Sequence, residues 1–308
     1  MNGTEIIAFL ANNLEGISSA VGPVTGALFT AIFLRHNTKT DEFEKIKAGQ
    51  FKEVADDLLA SGKMTYTEYY KANNFLKVAK KADSYYRKHP RTEEKVSYDF
   101  DWFVRFFEAV GNVSDDTVQN LWAKILAGEI AQSSTFSLKA IDVMRNLSKR
   151  DAELFVKACS HSFMSSAINY FLPNENEFLR TIGIKYTDIM KLSELGLIFN
   201  DGTIALNINI NNEPRILLEN NDLIMLISSA SGNLEKASIR QYPFTEVGRE
   251  LSTMISERAS DEDFLEYGRL LSRNKPQKIS IHRVISRKDN SVEYNEIDLI
   301  SSETSVVE

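Results

Sequence analysis

Asp101-Trp102-Phe103-Val104-Arg105-Phe106-Phe107 and Leu121-Trp122-Ala123-Lys124-Ile125-Leu126-Ala127-Gly128-Glu129 are the two runs whose reading decides the fold. In the second, with Val118 before it, Val118, Leu121, Trp122, Ile125 and Leu126 recur at i, i+3, i+4, i+7 and i+8, which is one face of a helix. Ser114, Asp115 and Asp116 open that helix, because a serine oxygen accepts a free amide and carboxylates suit the positive helix end. Trp102, Phe103, Phe106 and Phe107 make an aromatic helix just before it, which has to bury most of its surface. Together the two are expected to form the core of a helical domain. Arg105 is expected to pair with a carboxylate buried beside the tryptophans. Ala123 and Ala127 permit close helix approach, and Gly128 admits another backbone. Asp99, Asp101, Glu108, Lys124 and Glu129 lie close in sequence, and paired carboxylates can do acid–base work or hold a metal. Lys124 and Glu129 are five apart, however, and do not stack on adjacent turns of one face. A structural role is therefore the expectation for Trp102, Arg105, Phe106, Leu121, Trp122, Ile125, Gly128 and Glu129.

Upstream, Asp41–Ala60 reads as a helix with Phe43, Ile46, Phe51, Val54, Leu58 and Leu59 as its apolar stripe, stopped at Ser61-Gly62. A second helix, Thr65–Lys88, ends before Pro90, since proline disfavours helical geometry in the residue preceding it. Between Lys63 and Lys95 nine lysines and arginines face four acids, a local excess in a chain of net charge −7. Lys77, Lys80, Lys81, Arg87 and Lys88 are thus a candidate anion or lipid patch. Interleaved tyrosines could stack bases, anionic headgroups could meet the lysines, or the run is the solvated face of an amphipathic helix.

Gly16–Leu34 carries no charge over nineteen residues, at the short end of what crosses a bilayer. Arg35, His36 and Lys39 follow it as a cytoplasmic flank would. Gly22 and Gly26 have small-xxx-small spacing, and with Phe29 and Phe33 they mark either a helix–helix seam or a membrane-inserting arm. No secretory signal is evident at the start of the chain.

At 308 residues, with 43% hydrophobic and 26% charged side chains, the chain has the composition of a folded protein of two domains. Its negative charge argues against a general nucleic-acid coat. The single cysteine, Cys159, excludes an internal disulfide or a cysteine-based metal cluster, as expected of a reducing cytoplasm. His36, His89, His161 and His282 are scattered without metal-ligand spacing. Walker, G-x-G-x-x-G, G-x-S-x-G and H-E-x-x-H patterns are missing. No catalytic, cofactor-binding or metal-ligating residue is assigned, and no cofactor is expected.

In the carboxy-terminal half, Ser148-x-x-Asp151 resembles a capping box for a helix running towards Phe163. Tyr186–Leu195 reads as a short helix stopped by Gly196, followed by an apolar strand and an Asn200-Asp201-Gly202 turn. Thr203–Ile210, Leu223–Ile227 and Ala237–Tyr242 read as strands, and Thr245 caps another helix. Helix, turn, strands and closing helix resemble a winged-helix domain. Its presumed recognition helix offers only Lys185 and Lys191 against Asp188 and Glu194, too little for reading base edges, so protein–protein contact or simple structural use is favoured. Asp261–Arg273 is a final helix, Lys278–Ile285 a strand, and Ser286–Glu308 an acidic tail expected to fray.

The series Asp101-Trp102, Arg105-Phe106-Phe107, Leu121 to Glu129 and Ser148 to Ala152 resembles a bacterial domain-of-unknown-function family with a "D-W…R-F-F…L-W-A-x-I-L-A-G-E…S-x-x-D-A" signature, most closely over residues 90–170. The resemblance implies no settled activity, and it implies gene neighbourhoods that include phage defence. The expected fold is mainly α with a smaller α+β part. It comprises an apolar arm (1–40), a helical domain (41–165), a winged-helix-like domain (166–285) and an acidic tail (286–308). The expected function is non-enzymatic binding and assembly, as a sensor, adaptor or effector in a phage-defence or toxin-like system. The expected partner is another protein or a second copy, in the cytoplasm or attached to the inner membrane through the arm. The alternatives are a membrane-inserting effector using residues 16–34 to depolarise the cell and a DNA-binding regulator, nucleic acid being the less favoured partner.

Overall fold

A computed structural model describes residues 56–57, 59–62, 64–88, 99–132, 134–164, 170–273, 277–288 and 291–302. The expectations for the arm, including Gly22, Gly26, Phe29 and Phe33, lie outside the described residues, as does most of the Asp41–Ala60 helix. The chain divides into two compact units between Lys149 and Arg150.

In the first unit, α1 (Tyr66–Lys88), α2 (Phe100–Gly111), α3 (Asp116–Ala131) and α4 (Leu138–Arg145) surround an aromatic core. Each start has a local chemical cause. Asp99 caps α2 by accepting the Asp101 and Trp102 amides, Asp115 caps α3 through Thr117 and Val118, and Ser137 caps α4 through Ala140. The capping residue of α3 is thus Asp115, one position after the serine that the sequence suggests. Phe75, on the buried face of α1, meets Phe103 edge-on at 6.0 Å and Phe107 at 5.0 Å. Phe106 stacks on Trp102 at 5.1 Å and presents its edge to Trp122 at 5.4 Å. Asn74 is buried and donates to the Gly111 carbonyl at 2.9 Å, satisfying an orphan acceptor at the end of α2.

The second unit begins with α5 (Lys149–Ser160) and contains two four-stranded antiparallel sheets. One has the order β1 (Phe163–Met164), β2 (Tyr170–Pro173), β6 (Glu235–Pro243), β3 (Ala205–Ile210). The other runs β4 (Arg215–Asn220), β5 (Leu223–Ser229), β7 (Gln277–Lys288), β8 (Ser291–Tyr294). Helices α6 (Asn176–Thr181), α7 (Tyr186–Glu194), α8 (Glu246–Ser252), α9 (Asp261–Ser272) and α10 (Leu299–Ser302) complete it. Every residue of β5 is buried, so both faces of that strand are covered. Helix α9 lies so close to β7 that a Cβ at Gly268 would sit 2.6 Å from the Ile281 Cδ1. Phe163 anchors a second aromatic cluster, stacking on Tyr267 at 5.2 Å and meeting Phe178 and Phe264 at 5.9 and 5.8 Å.

These sheets overturn the mainly α expectation and the winged-helix reading. The fold is α+β. The strands assigned to a wing do not form one small local sheet: β3 pairs with β6, whereas β5 pairs with the distant β7. The Ser286–Glu308 tail is corrected as well. Strand β7 continues to Lys288, β8 returns along it, and α10 follows, with Asp298 accepting the Ile281 and Ile300 amides.

The end of α7 is fixed by a contact that only glycine permits. Gly196 adopts φ +73°, a left-handed helix stop. Thr245 donates its amide to the Leu197 carbonyl at 3.0 Å and its hydroxyl to the Gly196 carbonyl at 2.6 Å. Its Oγ1 also caps α8 through Gly248. A Cβ at Gly248 would overlap the Leu197 carbonyl oxygen, and a backbone atom cannot rotate away. Gly248→Ala is therefore expected to lower stability by about 3 kcal/mol, at the upper end of overpacking costs, as read by urea unfolding. Gly62→Ala, which meets nothing within 4 Å but strains a positive φ, is expected to cost about 1 kcal/mol.

Candidate functional site

The tryptophan motif converges on one residue, Phe136, in the turn between α3 and α4. The Trp102 indole Nε1 donates to the Phe136 carbonyl at 2.8 Å. The Glu129 carboxylate accepts the Phe136 amide at 3.0 Å through Oε2 and the Ser134 amide at 2.6 Å through Oε1. A Cβ on Gly128 would lie 2.9 Å from the Phe136 ring. Gly128 therefore makes room for a side chain, where the sequence reading expects a backbone. Ser134 has φ +64°, a left-handed geometry that costs a non-glycine residue about 1 kcal/mol, and the Glu129 hydrogen bond holds it there.

Glu129 is buried, and its pKa is raised by that burial, with the nearby Asp99 carboxylate adding to the effect and the loop amides opposing it. Both its oxygens are taken by backbone donors. Among the described residues no three His, Cys, Asp or Glu side chains gather as a metal site. Leu121, Trp122 and Ile125 are all buried as the helix period requires, and Phe106 is sealed between the two tryptophans. Arg105 departs from expectation. It lies on the solvent side of α2 and pairs with Asp142 of α4 at 3.3 Å, both side chains about half exposed. Positions 102, 103, 106, 107 and 110 take the inner face, which turns 105 outward.

The basic run divides. Lys77 and Lys80 are exposed on α1, whereas Lys81 pairs with Asp116 at 2.5 Å and its stem is partly covered. The side chains of Arg87 and Lys88 lie outside the described residues. Lys124 sits over the Tyr85 ring, 5.6 Å from its centroid.

A second apolar surface, outside the tryptophan motif, lies on α7. Ile189 and Leu192 point inward, while Tyr186 and Met190, one turn apart on the outer face, are 62% and 43% exposed. Phe199 is 51% exposed and its amide donates to the Pro243 carbonyl at 2.9 Å. Burial raises the Tyr242 pKa, and the Tyr186 hydroxyl nearby raises it further. Phe199 therefore flanks the Pro243 end of β6. The i, i+4 pairing of Tyr186 with Met190 is visible in the sequence. Its exposure is not, because it depends on which face the sheet covers.

Replacing Glu129 by Gln leaves one loop amide facing a donor, at a cost of about 1–3 kcal/mol near neutral pH. Because the folded-state pKa is raised, the contribution of this carboxyl is full below the ordinary carboxylate range and declines as pH rises through the raised value. Thermal melts are expected to show Glu129→Gln less stable than wild type, by more at about pH 5 than at about pH 8. An unchanged melting temperature would remove the structural role.

No curated protein and no solved structure matches the chain. A family model described as "Protein of unknown function (DUF2806)" matches residues 60–268, well over half of the sequence and including both the tryptophan motif and the α7–α8 junction. The chain belongs to the DUF2806 family of proteins of unknown function.

Proposed function

We propose that this chain is a non-catalytic bacterial binding and assembly protein, working in the cytoplasm as a sensor, adaptor or effector of a defence system. The defence setting comes from the likeness of the Asp101–Glu129 run to a family signature, and that run serves as scaffold in this reading. The supporting observation is the outer face of α7. Large apolar side chains grouped on a surface favour protein contact, because burying them releases ordered water at about 25 cal/mol per Å². Tyr186 and Met190, one turn apart on α7, supply such a pair, with Lys191 and Glu194 exposed beside them, the apolar centre and polar rim of an interface. The partner is another protein, and a second copy of the chain is the partner tested first.

Sedimentation of the full chain over a range of concentrations is expected to show reversible self-association. Tyr186→Ser combined with Met190→Lys is expected to weaken it by about tenfold or more, with an unchanged melting temperature because both positions are exposed. A wild-type chain that stays monomeric, or association that survives the double substitution, would contradict this assignment.

A further inference from the structure

We propose that the open edge of β3 takes an extended segment of another protein as an added strand, one whose alternate side chains are apolar and acidic. The proposal goes beyond the α7 reading and does not rest on it.

The order of the first sheet leaves β3 at its margin, paired only with β6. Two hydrogen bonds show which of its backbone groups are already used. The Gln241 amide donates to the Ile204 carbonyl at 3.1 Å, whereas the Arg240 carbonyl accepts the Asn174 amide at 3.2 Å on the β2 side. Backbone groups alternate in direction along an antiparallel ladder. Leu206, Ile208 and Ile210 therefore bond to β6, and Ala205, Asn207 and Asn209 turn their amides and carbonyls away from it. Among the described residues nothing takes those three amides or carbonyls, and Asn207 and Asn209 are exposed. Asn211, just past the strand, shows what such a group does when a partner is at hand: its carbonyl accepts the Ser229 amide at 2.7 Å.

Sheet margins are ordinarily blunted by bulges, charges, proline or brevity. The other three margins follow that rule. Strand β1 has two residues, and β4 carries Arg215, Glu219 and a bulge between Ile216 and Leu218. Strand β8 has four residues, and its pairing with β7 shifts register between Val284 and Ser286. By contrast, β3 runs six residues, Ala205–Ile210, in unbroken register without a charge or a proline.

The two faces of the edge set the side chains of the guest strand. On the inner face Leu206 and Ile208 are only half-buried, and apolar side chains laid beside them complete their cover. On the outer face the register puts Lys236 and Arg240 of β6 beside Asn209 and Ala205. Both cations are exposed, neither pairs with a described acid, and neither strand has an acid on that face. An added strand lies about 10 Å from β6, within reach of an extended arginine or lysine meeting a glutamate. The small Ala205 leaves the way open for Arg240. A second copy of β3 would fill the ladder but bring no acid to these cations, so a different chain is the better fit.

Titration of the full chain with a labelled peptide of about eight residues, alternating valine and glutamate, tests this. Binding is read by fluorescence polarisation and by hydrogen exchange of individual amides. The comparison peptide has lysine in place of each glutamate. Wild type is expected to prefer the glutamate peptide by about tenfold, because two exposed charge contacts change sign. Bound peptide is expected to slow exchange at Ala205, Asn207 and Asn209 and to leave Leu206 and Ile208, already bonded to β6, unchanged. Asn207→Pro removes an outward donor and no bond to β6, and is expected to weaken binding by about fivefold or more. Lys236→Glu with Arg240→Glu is expected to reverse the preference between the two peptides. Thermal melts show whether each variant is folded; should Asn207→Pro not fold, the charge reversal and the exchange pattern decide. No binding at about 1 mM peptide, equal binding of the two peptides, protection away from the three outward amides, or binding untouched by Asn207→Pro would overturn the proposal. Protection of those amides that rises with chain concentration in the absence of peptide would overturn it in favour of a second copy.

Discussion

The main chain of Phe136 is gripped from both sides by side chains, and the helical unit depends on that grip. Trp102 from α2 holds its carbonyl, Glu129 from α3 holds its amide, and Gly128 leaves the space that its ring occupies. The turn after α3 has no regular secondary structure to pair its backbone groups, so burying Phe136 there would otherwise leave its donor and acceptor unmet. An indole N–H and a carboxylate meet them instead. The grip also sets the aromatic stack, because an indole anchored at Phe136 presents its face to Phe106, which in turn presents its edge to Trp122. Three residues of the long motif thus share one local task, and Phe136, which completes it, lies outside the motif.

The second unit uses a different constraint, the close approach of backbone to backbone. Strand β5 is covered along its whole length, α9 presses Gly268 against β7, and Gly248 lets α8 start directly on the Leu197 carbonyl. Exposed charged side chains pair across the second sheet, Arg283 of β7 with Asp222 in the β4–β5 turn and Arg287 of β7 with Glu219 of β4. Such exposed pairs contribute little to stability, and they keep the sheet surface polar. Against that background, the rings of Tyr186 and Phe199 and the thioether of Met190 stand out as large apolar groups left exposed.

Helices with sharp caps and a clean period were legible in the sequence. The five apolar positions of α3 are all buried, Thr245 does cap α8, and the last long helix and strand fall where the pattern places them. What failed was pairing. β3, β5 and β6 each read correctly as strands, but a strand's pattern records its faces and not its neighbour. The pattern therefore suggests a local wing, whereas β5 pairs with β4 just upstream and with β7 about fifty to sixty residues downstream. β2, only four residues long, and β4, mixed in polarity, gave no period at all. The aromatic neighbours of Arg105 suggest an inward side chain, whereas the helix turns it out to Asp142. Phe136 was invisible because its importance lies in its backbone groups, which every residue possesses.

The most direct test of the Phe136 grip is native-state hydrogen exchange of its amide. With Glu129 accepting it and the Trp102 indole closing the turn, that amide is expected to exchange only through unfolding of the helical unit, with the same protection as the Ile125 and Leu126 amides in the middle of α3. Exchange of the Phe136 amide near the rate of an unstructured peptide, while the α3 amides stay protected, would show that the turn opens independently and that the motif does not hold it.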